Sequence, residues 1–359
     1  VLRGYFGLSK FALFYPIVDS LLLCGNIARM KISIAFQSDQ PISAYGALAA
    51  TVEQYGFDGV SVYNDLLYQP AWLPLLEMAR HTTRVRLGPA GVNPFTCHPI
   101  NLAGNIALLD EASQGRAYLG LVRGAWLDFL GLEPAQPVTA LREAFECVRH
   151  LLQQSKEPYN GKVFKLAGGD TLRWKILRPD IPFLLGAWGE QTIRACIAHV
   201  NEIKIGGTAN PDLIPHIRSI VTQAAHAIGR NPDDIAIVAG AVTVVDRDGE
   251  AARAHVRRKA ALYLPVIAKL DPTLNIDPEL LRRIGEAAAA YDFERAGNLI
   301  PDALLRKFAF AGTPDEVATH AHELFVAGAQ RVEFGTPHGL TEEAGLRLLG
   351  ERVLPALRQ

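Results

Sequence analysis

The chain reads as an α/β protein, a (β/α)8 TIM barrel with a helical insertion before its last strand. Three observations predict it. From Met30 onward, short β-branched runs alternate with longer helical periods, the pattern of βαβ units and a parallel sheet. The count comes to eight strands, each followed by a helix. No G-x-G-x-x-G opens the first βα unit, so a doubly wound dinucleotide-binding sheet loses its main support.

The first strand is Lys31 to Phe36, followed by a helix over Ser43 to Tyr55 that Gly56 stops. The second strand, Gly59 to Tyr63, ends in Asn64 and Asp65, and a helix at Ala71 to His81 leads to the third, Val85 to Val92. A helix from Pro99 to Glu111 and the tight turn Ser113 to Arg116 precede the fourth strand, Ala117 to Val122, with GLVRGAW at its carboxyl end. After the helix Thr139 to Gln153, the stretch 155–182 is irregular, and YNGKVFKLAGG within it suits a small hairpin or lid. Strand five is Phe183 to Gly186 with its helix Glu190 to Ala198, and strand six is Glu202 to Ile205. A helix over Pro211 to Ile228 leads to strand seven, Ile235 to Val245. The segment 253–308 is Ala-rich and helical, an insertion without strands. GTPDE then starts a helix, with Thr313 as N-cap, Pro314 in the first turn, and Asp315 and Glu316 favouring the dipole. The last strand is Arg331 to Phe334, and a terminal helix begins at Thr341.

A length of 359 residues suits one barrel of about 250 residues with insertions. Lys+Arg 36 against Asp+Glu 37 leaves a net charge of -1, with no summed positive field for nucleic acid or an anionic membrane. The cysteines, Cys24, Cys97, Cys147 and Cys196, form no C-x-x-C pair, and no His cluster has zinc spacing, so reduced thiols and no metal are expected. An apolar stretch from Phe11 to Cys24, broken by Pro16 and Asp19, loosely imitates a signal peptide, and LLLCG hints at a lipidated cysteine. However, a leucine precedes that cysteine, and the longest apolar run falls short of the roughly 18 residues that span a bilayer. MKISIAF begins a strand pattern at once, so Met30 is expected to open the folded protein. Residues 1–29 are then an extension outside a single domain at 30–359 with a cytoplasmic location.

In such barrels the site lies at the carboxyl ends of the strands. The candidates there include few acids, no Ser-His-Asp order and no carboxylate pair, which favours a cofactor carrying the reactivity. LGPAGVNPFTCHP (Leu87 to Pro99) crowds Gly, Pro and Asn at the end of a strand, letting the backbone bulge towards a flat ligand or forming an ordinary βα loop. GAWGEQT (Gly186 to Thr192) puts small residues before a helix N-terminus, where a phosphate is favoured. Trp126 and Trp188 can wall an aromatic ring or simply pack. Asp65 is a polar partner for a ring or a helix cap, His98 a proton carrier or a cap before Pro99, and His338 a similar case after the last strand.

KISIAF, GFDGVSVYND, VRLGPAGVNPF, LLDEASQGRAYLGL and GTPDEVATHAHELFVAGAQRVEFGTPHG together resemble the bacterial-luciferase-like superfamily. Within it the pattern is nearest the deazaflavin-dependent branch typified by methylenetetrahydromethanopterin reductase. The resemblance runs from Met30 to the C-terminus. It implies a barrel binding coenzyme F420 or FMN at the strand ends, a small-molecule substrate and a homodimer. It also implies a non-prolyl cis peptide at the bulge ending strand three, here Ala90-Gly91 or Gly91-Val92. Ala90, Gly91, Val92 and Asn93 would then support one ring face, Gly186, Ala187, Trp188 and Gly189 the phosphate end, and Arg123 and Trp126 the rim. Asp65, His98 and Arg123 are the catalytic candidates. Where the branch has Asp-His, a first-strand glutamate and an arginine after the bulge, this chain has Asp65-Leu66, Ala35 and Cys97. The expected activity is hydride transfer between F420 and an organic substrate. Its alternatives are an FMN-dependent monooxygenase fed by a flavin reductase and a non-catalytic flavin-binding barrel.

Overall fold

Burial on both faces explains why the strands read as near-continuous apolar runs: Lys31–Phe36 (β1) is buried from its second residue onward, and Gly59–Val62 (β2) throughout. The computed structural model describes residues 30–359, so the expectations placed on 1–29, Cys24 among them, lie outside the described residues. The strands continue with Arg86–Pro89 (β3), Leu119–Val122 (β4), the two-residue pair Tyr159–Asn160 (β5) and Lys165–Leu166 (β6), Phe183–Gly186 (β7), Glu202–Gly206 (β8), Ala236–Val245 (β9), Ala309–Gly312 (β10) and Arg331–His338 (β11). All pair in parallel in the order β3-β2-β1-β11-β9-β8-β7-β4, with β10 added beside β9, except β5 and β6, which form a separate antiparallel hairpin. Parallel bridges Leu87↔Ala117 and Val92↔Leu121 join β3 to β4 and close the ring of eight. The fold is thus the expected α/β barrel, with helices outside each strand and one apolar core between the two layers.

Three expectations change. The third strand does not run to Val92. Its ladder with β2 ends at Pro89, Ala90 N–H still donates back to Val62 O at 2.9 Å, and Val92 N–H crosses to Gly120 O of β4 at 3.0 Å. The chain changes partner there because β3 and β4 approach too closely for side chains: a Cβ on Gly88 or Gly120 would collide with the backbone opposite. The peptide Ala90-Gly91 is cis, one of the two positions expected. A ninth strand, β10, follows the inserted helices and pairs with the outer half of β9; four residues of Ala, Phe and Gly show no period of their own. The last strand extends to His338, with a register shift between Gly335 and His338 and a cis Thr336-Pro337 bond. GTP there reads as a loop, since proline ends regular pairing.

The insertion forms helices Gly249–Ile267, Pro278–Ala289, Phe293–Asn298 and Asp302–Phe308, gathered on a second apolar cluster that includes Val256, Leu264, Ile284 and Phe308. The GTPDE start is a full capping box: Thr313 accepts from Glu316 N–H, and the Glu316 carboxylate accepts from Thr313 N–H at 2.7 Å. Among the described residues no helix is long and apolar enough to cross a membrane.

Candidate active site

The barrel axis is polar. Glu333 of β11 forms an ion pair with Lys204 of β8, and its second oxygen accepts from Ser61 Oγ of β2 at 2.6 Å and Ser33 Oγ of β1 at 3.2 Å. Below them Arg331 donates to Glu202 at 2.5 Å, Arg86 donates to the other Glu202 oxygen at 2.6 Å, and the Tyr118 hydroxyl meets Ser61 at 2.8 Å. All of these bonds but that from Ser33 cross between strands that are not neighbours, so the side chains fill the interior, where isolated charges would be very costly. Burial alone would raise the Glu202 pKa, but Arg331 and Arg86 outweigh it and bring it down to about 2. Burial likewise opposes ionisation of Glu333, and Lys204 with Arg331 holds it below the usual carboxylate range. The floor of the mouth is therefore an ion-paired, hydrogen-bonded layer.

Above this floor the strand ends carry small residues. Ala35, Gly186, Gly206 and Gly335 follow the interior period of β1, β7, β8 and β11. A Cβ placed on Gly206 or Gly189 would meet no atom within 4 Å, so open space borders β8 and the turn after β7. Trp188 stands beside it, its indole N–H donating to Gly206 O at 3.1 Å. On the other side Tyr63 follows β2, and a Cβ on Gly335 would collide with its hydroxyl; because β1 lies between β2 and β11, the ring passes over Ala35. Lys204 Nζ lies 5.5 Å from the Tyr63 ring centroid. Tyr263 of the insertion donates to Phe308 O at 3.0 Å and packs near Gly207, bringing helix Gly249–Ile267 over the β8 end. Burial raises both phenols well above the ordinary tyrosine value.

The residues singled out from sequence fall in separate places around the mouth. Ala90, Gly91, Val92 and Asn93 form the bend after β3. Asn93 is buried, and its Oδ1 accepts from Phe95 N–H, Thr96 N–H and Thr96 Oγ at 2.9 to 3.1 Å, which fixes the loop. Gly186, Ala187, Trp188 and Gly189 lie two strands away beyond β4. Gly189 is the side-chain-free N-cap of helix Glu190–Cys196. Arg123 and Trp126 are exposed on the rim after β4, lining a cleft of about 360 Å³ with Asp128 and Glu133. Asp65 accepts from Gln37 Nε2 at 3.0 Å, joining the β1 and β2 ends; the helix that follows is capped instead by Asn64, whose Oδ1 accepts from Ala71 N–H. His98 is exposed and caps helix Pro99–Ala112, Nδ1 accepting from Ile100 N–H at 3.2 Å, so capping is the role its geometry shows. His338 is fully buried, its Nε2–H donating to Ala35 O at 3.1 Å, and burial lowers its pKa to about 4.

Sequence reasoning missed Tyr63, Tyr263 and the axial set Ser33, Ser61, Lys204 and Glu333. A signal existed: polar residues two apart inside apolar strands, as in Glu202-Lys204 and Arg331-Glu333, face a barrel axis rather than solvent.

The model of the luciferase-like monooxygenase family matches residues 27–331. A 5,10-methylenetetrahydromethanopterin reductase of Methanolobus tindarius is 28% identical over 331 residues, covering 90% of this chain and all of that protein. The solved structure of a coenzyme F420 dependent tetrahydromethanopterin reductase from Methanopyrus kandleri superposes with a TM-score of 0.83 at 27% identity, covering 91% of this chain and 99% of that one. A monooxygenase from Streptomyces bottropensis shares the fold, with a TM-score of 0.68 at 23% identity over 91% of this chain and 99% of that one.

Proposed function

The chain belongs to the luciferase-like monooxygenase family, and from that membership we propose that it is a coenzyme F420-dependent oxidoreductase transferring a hydride between the deazaflavin and an organic substrate. The observation that carries this reading is the end-to-end likeness to the F420-dependent reductase of Methanopyrus kandleri, at 27% identity across 99% of that chain. The site geometry agrees with it. The open space at Gly206 and Gly189, with the Trp188 indole fixed to the Gly206 carbonyl, suits a flat ring system with a polar tail.

When bound, the deazaflavin supplies the two-electron chemistry. The protein's part is binding and orientation. Ala90, Gly91, Val92 and Asn93 would back one face of the ring, held in place by the Asn93 hydrogen bonds. Gly186, Ala187, Trp188 and Gly189 would take the phosphate end, where the first N–H groups of helix Glu190–Cys196 have no side-chain cap. Arg123 and Trp126 border the rim, from which a cation can reach an anionic tail or substrate. Asp65 orients Gln37 across the mouth. A homodimer and a cytoplasmic location belong to the same proposal, and light scattering of the purified protein checks the first.

Parallel titration with F420 and FMN, followed by tryptophan quenching, tests the cofactor. Preferential F420 binding is expected, with F420H2 oxidation by an organic acceptor, methylenetetrahydromethanopterin and carbonyl compounds being the first to try. Preferential FMN binding with oxygen consumption would replace this reading by the monooxygenase and bring in a flavin reductase as partner.

A further inference from the structure

Tyr63 is the one residue at the mouth with a dissociable hydroxyl, a ring fixed over the barrel axis and no hydrogen bond from that hydroxyl to any described residue. The candidate residues beside it are each engaged at one polar atom. Asp65 holds Gln37, His98 caps a helix, His338 is buried against Ala35 O, and the Tyr263 hydroxyl donates to Phe308 O. Tyr63 itself is only partly buried. Glu333, Asp65, Tyr263 and Tyr118 are the titratable groups facing it, and Lys204 lies 5.5 Å from its ring.

We propose, resting on the hydride-transfer reading above, that the Tyr63 hydroxyl is the proton donor of the reaction and that the substrate is therefore a neutral C=O or C=N compound. The double-bonded carbon of the substrate receives a hydride from a reduced deazaflavin, which is thereby oxidised by two electrons. The π pair moves onto the substrate oxygen or nitrogen, and that atom takes the Tyr63 proton. The phenolate left behind recovers a proton from water at the mouth, with the Lys204 Nζ 5.5 Å from its ring centroid. A positively charged iminium acceptor would need only the hydride, so a built-in donor points to a neutral one. Burial keeps the phenol protonated until a more basic atom forms beside it. Proton donation of this kind contributes about 10²- to 10⁴-fold in rate.

The test is Tyr63→Phe in the full chain, with F420 as the probe. Expected are F420 affinity within about threefold of wild type, loss of turnover with a carbonyl acceptor by about 100-fold or more, and loss of the solvent deuterium effect on that turnover. A readout independent of activity is the fluorine NMR spectrum of protein carrying 3-fluorotyrosine. The resonance that Tyr63→Phe removes should shift when F420 binds. Should Tyr63→Phe fail to fold, the fluorinated wild-type chain decides: its more acidic phenol should move the alkaline limb of the rate profile to lower pH, and an unmoved limb overturns the proposal. Wild-type F420 binding combined with Tyr63→Phe turnover within fivefold of wild type, or with an unshifted Tyr63 resonance, overturns the proton donor and leaves the cofactor reading standing. Absence of F420 binding by the wild-type protein overturns both.

Discussion

Two histidines sit in the interior with one ring nitrogen each bound to a carbonyl, His320 to Ala209 O at 2.7 Å and His338 to Ala35 O at 3.1 Å. Burial lowers both to about 4, with Arg306 adding to the effect at His320. The unfolded chain binds these protons near pH 6.5, so between about 6.5 and 4 it holds more protons than the folded one. Stability is therefore full above that window and falls as the pH drops through it, by up to about 3 kcal/mol per histidine. Glu202, held at about 2 in the fold, adds a second loss below about pH 4.5. Urea midpoints at pH 7.5, 5.5 and 4.5 check this, and His320→Gln should flatten the first fall; an unchanged slope in that variant would contradict the assignment. A second residue-scale prediction concerns Gly335. Its replacement by alanine should destabilise the protein by about 1 to 3 kcal/mol because the new methyl meets the Tyr63 hydroxyl, and Tyr63→Phe in the same chain should recover part of that loss. Of the single residues, the backbone specials were the legible ones. Family resemblance placed the cis bond at Ala90-Gly91 or Gly91-Val92, and it lies at the first. Tyr63 was passed over because an aromatic ending an apolar strand looks the same whether it packs outward or crosses the axis.

At the scale of elements, the turn of the β5–β6 hairpin is tethered by one carboxylate, while Tyr159 of β5 donates to a second, Glu146, at 2.5 Å. Glu143, in helix Pro137–Leu152, accepts from the backbone N–H groups of Lys162, Val163 and Phe164 at 2.8, 2.8 and 3.1 Å, and is almost fully buried beneath them. Burial alone would raise its pKa, and the three N–H donors pull it below the usual carboxylate range. Glu143→Gln replaces one acceptor oxygen by a donor facing those N–H groups. It should cost about 1 to 3 kcal/mol and open 155–182 locally, seen as faster hydrogen exchange and proteolysis there with the barrel strands still protected. Protection unchanged in that segment would rule the tether out. The strands and helices themselves were legible because apolar period and caps are local: β1 and β7 coincide with their expected bounds, and Gly56 with φ of 88° ends the first helix where glycine signals a stop. The segment was read as a small hairpin or a lid and is a hairpin, but its tether was not legible, since it comes from a helix nearly twenty residues earlier. β10 was invisible because its pairing partner is the far half of an unusually long β9.

The whole barrel is tied together by the axial network, which links β1, β2, β8 and β11 through one carboxylate, Glu333. Such a layer follows from packing. A closed ring whose interior positions are Ser33, Ser61, Gly240 and Gly335 leaves too little apolar volume to fill its centre, and long charged side chains reach where short ones do not. Their stabilising effect depends on every member staying paired. Lys204→Met leaves Glu333 buried with Arg331 as its nearest cation, and Glu333→Gln leaves Lys204 buried without its counter-ion. Each should lower stability by about 3 kcal/mol or more, whereas Lys204→Met combined with Glu333→Gln should lower it by less than the sum, because neither charge is then stranded. Urea unfolding of the four proteins measures the coupling, and strict additivity would show that the two side chains act separately. The same cycle bears on function at this scale. If Lys204 and Glu333 form the floor on which the mouth is built, the single changes should weaken F420 binding together with stability, and the combined change should restore part of both.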